Sequence, residues 1–117
     1  MKDNPLKDKS YALALSIVKL CHEISKNTKD YVLINQLLKS GTSIGANIRE
    51  AEFAQSKADF ISKMSIALKE AAETEYWLML MRDSLIIDLE NSSRLIELVT
   101  EILKMLVSTV KKSKDNS

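Results

Sequence analysis

Four stretches of this 117-residue chain repeat apolar residues every three or four positions, with short polar breaks between them. No other feature of the sequence limits the fold so strongly, because that period buries one face of an α-helix and short connections make successive helices antiparallel neighbours. The expected architecture is all-α, an up-and-down antiparallel four-helix bundle forming a single domain over residues 1–117. Its helices are expected at about 8–26, 31–54, 57–83 and 89–112, with a polar, frayed C-terminal tail at 113–117. Two glycines and one proline, Pro5, leave little material for tight turns, as an all-helical chain requires.

In the first segment Leu13, Ile17, Leu20 and Ile24 mark the buried stripe, widened by Ala14, Val18 and Cys21. Asn27 is expected to end it in a left-handed conformation, and Asp30 or Thr28 to cap the next helix. The second segment turns Ile34, Leu37, Leu38, Ile44, Ile48 and Ala51 inward. Gly41 and Gly45 lie within it, each costing about 1 kcal/mol of helix propensity relative to alanine. Close approach of a neighbouring helix is the reading that offsets this cost; a phosphate-binding loop is excluded by the missing GxxxxGK[ST] order and the missing strand.

The third segment opens on Ser56-Lys57-Ala58-Asp59, a capping box with Asp in the usual Glu or Gln place. Phe60, Met64, Ala67, Ala71, Thr74, Leu78, Met81 and Leu85 follow as expected core. From Tyr76 to Met81 the helix is apolar on nearly every side, which predicts a further surface covering it. Asp88 is the expected N-cap of the fourth segment, where Leu95, Leu98, Ile102 and Met105 form one stripe and Ile96, Val99, Leu103, Leu106 and Val110 another. Together they exceed the roughly 100° arc one core needs. This surplus predicts self-association through the fourth helix and the aromatic end of the third.

Chemistry is harder to find. The formal net charge is +1, from 17 basic and 16 acidic residues mixed along the chain, so neither half is a polycation suited to many phosphates. Cys21, the one cysteine, reads as a small buried apolar residue. With His22, the one histidine, it makes too few ligands for zinc. Glu50, Glu52, Glu70, Glu73 and Glu75 suggest a carboxylate-bridged metal bundle, but such sites need Glu-x-x-His pairs that the sequence lacks. Ser43 and Ser56 have no histidine placed to activate them. No catalytic residue, metal or cofactor is therefore expected, and the chain reads as a non-enzyme. The start MKDNPLKDKS has no apolar leader and no stretch of about 18 apolar residues occurs, so a cytoplasmic location without membrane association is expected.

Asn47, Glu50 and Glu73 stand out on otherwise apolar helices; they read as inter-helix or inter-subunit hydrogen-bonding groups that fix register, with a binding role as the alternative. The run Gln36 to Ala51, then Ser56-Lys57, Phe60-Ile61, Ile66-Ala67-Leu68 and Ala72-Glu73-Thr74-Glu75-Tyr76, resembles the four-helix-bundle family of 23S rRNA intervening-sequence proteins. That family includes the accessory variability determinant of diversity-generating retroelements. Ser43, Ile44, Asn47, Ile48, Glu50, Ser56, Phe60, Ala67, Glu73 and Glu75 occupy the places of its central pattern. The resemblance implies a homopentameric ring with an ill-defined RNA or nucleoprotein role. The near-zero charge departs from the more basic members and weighs against nucleic-acid binding more than against fold or assembly.

Two functional readings follow. One is a non-enzymatic oligomeric scaffold or interaction protein whose structural or interface residues are Ser43, Asn47, Glu50, Ser56, Phe60, Glu73, Glu75, Tyr76 and Trp77. The other is an RNA-binding or nucleoprotein accessory factor contacting its partner through Lys7, Lys9, Lys111, Lys112 and Lys114, which the topology gathers at one bundle end.

Overall fold

The structure, a computed structural model, describes residues 4–116; residues 1–3 and the last residue of the expected tail, Ser117, lie outside the described part. Four helices, α1 (Pro5–Ile24), α2 (Tyr31–Glu52), α3 (Lys57–Asp83) and α4 (Leu89–Asp115), follow in chain order. Each packs on its two neighbours, with α4 closing back on α1. The result is an antiparallel bundle with extents of 48 × 26 × 21 Å. No strand occurs among the described residues.

Helix starts follow local chemistry. Pro5 opens α1 and Asn4 caps it, its side chain accepting from the Lys7 amide at 3.1 Å. α1 thus begins earlier than the pattern suggests, since proline at the first position has its φ already set for a helix. Ser56 caps α3 by accepting from the Asp59 amide at 3.0 Å, and the Asp59 carboxylate reaches back to the Gln55 amide at 3.2 Å. Asp88 caps α4 through the Asn91 amide at 2.7 Å, a bond that holds its carboxyl below the usual range. Asp30 stands at the N-cap of α2 but makes no capping bond; its carboxylate instead accepts from the Thr28 hydroxyl at 2.9 Å.

Helix ends differ more from expectation. Asn27 is not left-handed: α1 stops at Ile24 and tightens through bonds from the Lys26 amide to Glu23 and from the Asn27 amide to Ile24. The left-handed residue is Leu85, φ 65°, alone among non-glycine residues described. It ends α3 in a Schellman motif, with the Leu85 amide on the Arg82 carbonyl and the Ile86 amide on the Met81 carbonyl. Leu85 therefore leaves the core stripe expected of it and stands 89% exposed, while Ile87 enters the core. Glycine is the usual residue here because a Cβ costs about 1–2 kcal/mol in this conformation. Leu85→Gly is accordingly expected to stabilise each subunit by about 1 kcal/mol, read as a higher melting temperature; no rise would mean the turn is unstrained.

The core is one contiguous cluster fed by all four helices, with Leu13, Ile17, Leu37, Ile44, Leu78, Met81, Ile102 and Leu106 fully enclosed. Ser40 and Thr74 meet inside it, their hydroxyl oxygens 3.0 Å apart between α2 and α3. On α4 the two expected stripes resolve into one. Ser92, Leu95, Val99, Ile102, Leu106 and Val110 are buried, and Leu98 and Met105 on one side and Ile96 and Leu103 on the other are half-buried flanks. The surplus is thus absorbed largely within the chain, because both neighbours of α4 lean over its sides. α4 also continues to Asp115, so the expected frayed tail is helical through that residue.

The two glycines of α2 differ. A Cβ on Gly41 would overlap Ile17 Cδ1 and come within 3.1 Å of its Cγ2, whereas one on Gly45 would meet only Ser10 atoms at ordinary contact distances from 3.5 Å. Close approach of α1 therefore accounts for Gly41. Gly45→Ala is expected to gain up to about 1 kcal/mol of stability from helix propensity. Gly41→Ala forfeits that gain to overpacking of about 1–3 kcal/mol. Thermal melts giving equal gains for both variants would contradict this.

Candidate functional site

The outer faces of the bundle carry the polar and aromatic residues that the pattern singles out. On α2, Asn47 is half-buried and donates its amide nitrogen to the Ser43 carbonyl at 2.8 Å, while the Ser43 hydroxyl donates to the Lys39 carbonyl at 2.7 Å. On α3, Glu73 accepts from the Trp77 indole at 3.4 Å, and Tyr76 and Trp77 stack edge to face with centroids 5.0 Å apart. Each of these contacts stays within one helix, so Asn47 and Glu73 do not tie helices together inside the chain. Glu50 and Glu75 do: Glu50 pairs with Lys63 at 2.9 Å across α2 and α3, and Glu75 accepts from Thr100 at 2.8 Å across α3 and α4. The Glu50 hydrogen bond raises the Lys63 ammonium above its ordinary pKa. Ser56 is the cap described above, and Phe60 is half-buried against the core.

Beside these polar groups the aromatic end of α3 presents Tyr76, Met79 and Leu80 to solvent, with Leu85 and Leu89 following at the α3–α4 corner. These residues form the apolar surface that the continuous apolar run anticipates. A second surface escapes sequence reasoning. Tyr11, Leu15 and Val18 on α1 are exposed, although the sequence pattern places Val18 in the core. They recur at spacings of four and three, a stripe rotated away from Leu13, Ile17, Cys21 and Ile24; two adjacent stripes on one helix are the available signal.

Two clefts run along the seam between α1 and α2 next to this stripe. One, of about 440 Å³, is lined mainly by Val18, Cys21, Ile34, Leu38 and Tyr31, with Lys19 and His22 at its rim. The other, of about 260 Å³, lies between Tyr11, Ala14, Thr42, Ala46, Lys7 and Arg49. Cys21 is buried at the floor of the first, and desolvation raises its thiol to about 11, so the thiol is protonated and unreactive near neutral pH.

The lysines grouped from the sequence separate into two kinds. Lys7 pairs with Glu52 and Lys9 with Glu101, each at 3.2 Å, which neutralises both and fastens α1 to α2 and α4. Lys111, Lys112 and Lys114 belong to the last turns of α4, where Lys111, Lys112 and Lys114 all face solvent. That helical segment runs on by about 20 Å past the level of Glu101 at 1.5 Å per residue. Among the described residues no three His, Cys, Asp or Glu side chains are grouped closely enough to hold a metal ion. No helix among them is long and apolar enough to cross a membrane.

Known proteins resemble this chain along most of its length. The family profile described as 23S rRNA-intervening sequence protein matches residues 2–108. A crystal structure of a protein of unknown function from the S23 ribosomal protein family, from Bacteroides thetaiotaomicron VPI-5482, superposes with a TM-score of 0.87 at 52% identity. The match covers 91% of this chain and 98% of that one. No curated protein matches the chain.

Proposed function

This chain belongs to the family of 23S rRNA-intervening sequence proteins, and from that footing we propose that it is a non-enzymatic, cytoplasmic scaffold that assembles with copies of itself. The observation that carries the reading is the exposed apolar surface of Tyr76, Met79 and Leu80 on α3, continued by Leu85 and Leu89. Large apolar side chains left exposed along one end of a helix and the corner after it are what an interaction surface presents. The family resemblance implies a ring of five. Light scattering at micromolar concentration is expected to give a mass several times the 13.2 kDa of one chain, five times for the ring; a mass of one chain would sink the proposal.

A second reading, RNA or nucleoprotein binding, is favoured by Lys111, Lys112 and Lys114 standing close together on the exposed end of α4. Repetition around a ring would multiply that charge. It is weakened by the carboxylates that occupy Lys7 and Lys9. Titration of a structured rRNA fragment at two salt concentrations separates the readings. Binding that falls steeply with salt, and again when the three α4 lysines become alanine, supports the RNA role; no binding at low salt leaves the scaffold.

A further inference from the structure

Two unlike apolar surfaces lie on opposite sides of the bundle. The α3–α4 corner projects Leu80, Leu85 and Leu89, and residues 70–90 around it carry six carboxylates, Glu70, Glu73, Glu75, Asp83, Asp88 and Glu90, against one cation. That cation, Arg82, is itself paired with Asp83 at 2.8 Å. Across the bundle, the two α1–α2 clefts are apolar at the floor and lined by Lys7, Lys19 and Arg49 with no carboxylate. Asp8 joins Lys7 and Arg49 in an adjoining depression, and Glu52 pairs with both Lys7 at 3.2 Å and Arg49 at 3.9 Å, so the basic excess is carried by Lys19 at the larger cleft. One surface is a set of projecting leucines among carboxylates; the other is an apolar recess bordered by Lys19 and free of carboxylates.

We infer that the α3–α4 corner of one copy seats in the larger α1–α2 cleft of the next, a head-to-tail contact between unlike faces. This rests on the self-assembly reading above and specifies its geometry. Leu85 is the projecting knob. The chain keeps a leucine at the left-handed position where glycine would relieve strain, and its side chain stands almost wholly in solvent; strain of this sort persists where it serves a function. The receiving cleft, about 440 Å³ and lined by Val18, Ile34 and Leu38, has room for such side chains. Lys19 on its rim meets the carboxylates beside the knob. Ser40 and Thr74 set α2 and α3 level, which places the cleft between residues 18 and 38 at the height of residues 76–89. The contact therefore repeats from copy to copy without climbing along the bundle axis, as a closed assembly requires.

Paired face-breaking variants test this. Val18→Glu spoils the recess and leaves the knob; Leu80→Glu spoils the knob surface and leaves the recess. Each alone is expected to run as one chain of 13.2 kDa in light scattering, and an equimolar mixture at high micromolar concentration as a 1:1 pair of twice that mass. Either variant still assembling alone shows pairing of like faces and overturns the inference, as does a mixture that stays monomeric while wild type assembles. A wild-type protein that is monomeric removes the self-assembly reading itself, a distinct outcome. Leu85→Gly guards against misfolding as the cause: it should keep its helicity and assemble less than wild type, and intact assembly in that variant also counts against the knob.

Discussion

Leu78→Ala is expected to destabilise the protein by about 2–5 kcal/mol, the cost of deleting a buried leucine and leaving a cavity. Leu78 sits on α3 with none of its surface exposed, in the cluster shared by all four helices. A domain of this size has a total stability of only about 5–15 kcal/mol, so the variant should lose a large part of it. Thermal denaturation followed by circular dichroism reads the effect as a drop in melting temperature of about 10 °C or more. A drop of only a degree or two would mean that the interior repacks around the shortened side chain, and the fully enclosed core described above would be wrong.

Two residues further along the same helix the expected effect changes kind. Leu80 is 38% exposed, and Leu80→Glu places a charge on the outer face of α3 without disturbing the interior. Helix content and the unfolding of the separated subunit should stay close to wild type, since substitutions away from the core usually fall within about 0.5 kcal/mol. Assembly should fail, because a charge added to a face already rich in carboxylates would have to be desolvated without a partner when that face is covered. Sedimentation velocity would show a single slow species where wild type shows a faster one. A variant that sediments like wild type would remove α3 from the interface, and one that loses its helicity would show that Leu80 supports the fold instead.

The contrast between Leu78 and Leu80 also shows how far the sequence can be read. Helix type and number follow from periodicity, and α3, with a serine cap at one end and a clear apolar repeat, spans Lys57–Asp83 as expected. Caps with side-chain acceptors are legible at Ser56 and Asp88. Terminations are not: the Schellman turn at Leu85 has a leucine where glycine is the signal, and Asn27, a residue suited to that geometry, sits instead in a tightened last turn. On α4 the two stripes become one buried row with half-buried flanks, Ile96, Leu98, Leu103 and Met105, packed against the core. Stripe width misleads on α1, where Val18 belongs to an outward stripe with Tyr11 and Leu15. Periodicity gives the angle of a residue around its helix; how far a neighbour reaches over that angle is set by tertiary packing.

The candidate surfaces are legible in part for the same reason. The aromatic end of α3 can be found because the apolar run exceeds what one buried face can use. The α1–α2 clefts cannot, since Lys19, His22, Arg49 and Leu38 come to the seam only when two helices pack side by side. Nor can the ion pairs of Lys7 and Lys9, which join residues far apart in the chain and set those two lysines apart from Lys111, Lys112 and Lys114.

Small-angle X-ray scattering of the wild-type protein at micromolar concentration tests the central claim, that the outer apolar faces are covered by further copies. A single chain has a Cα radius of gyration of 14.7 Å and a longest extent of 48 Å. A radius well above that value and a forward intensity corresponding to several chains are expected. A radius that stays close to the 14.7 Å of one chain as concentration rises through the micromolar range would contradict it.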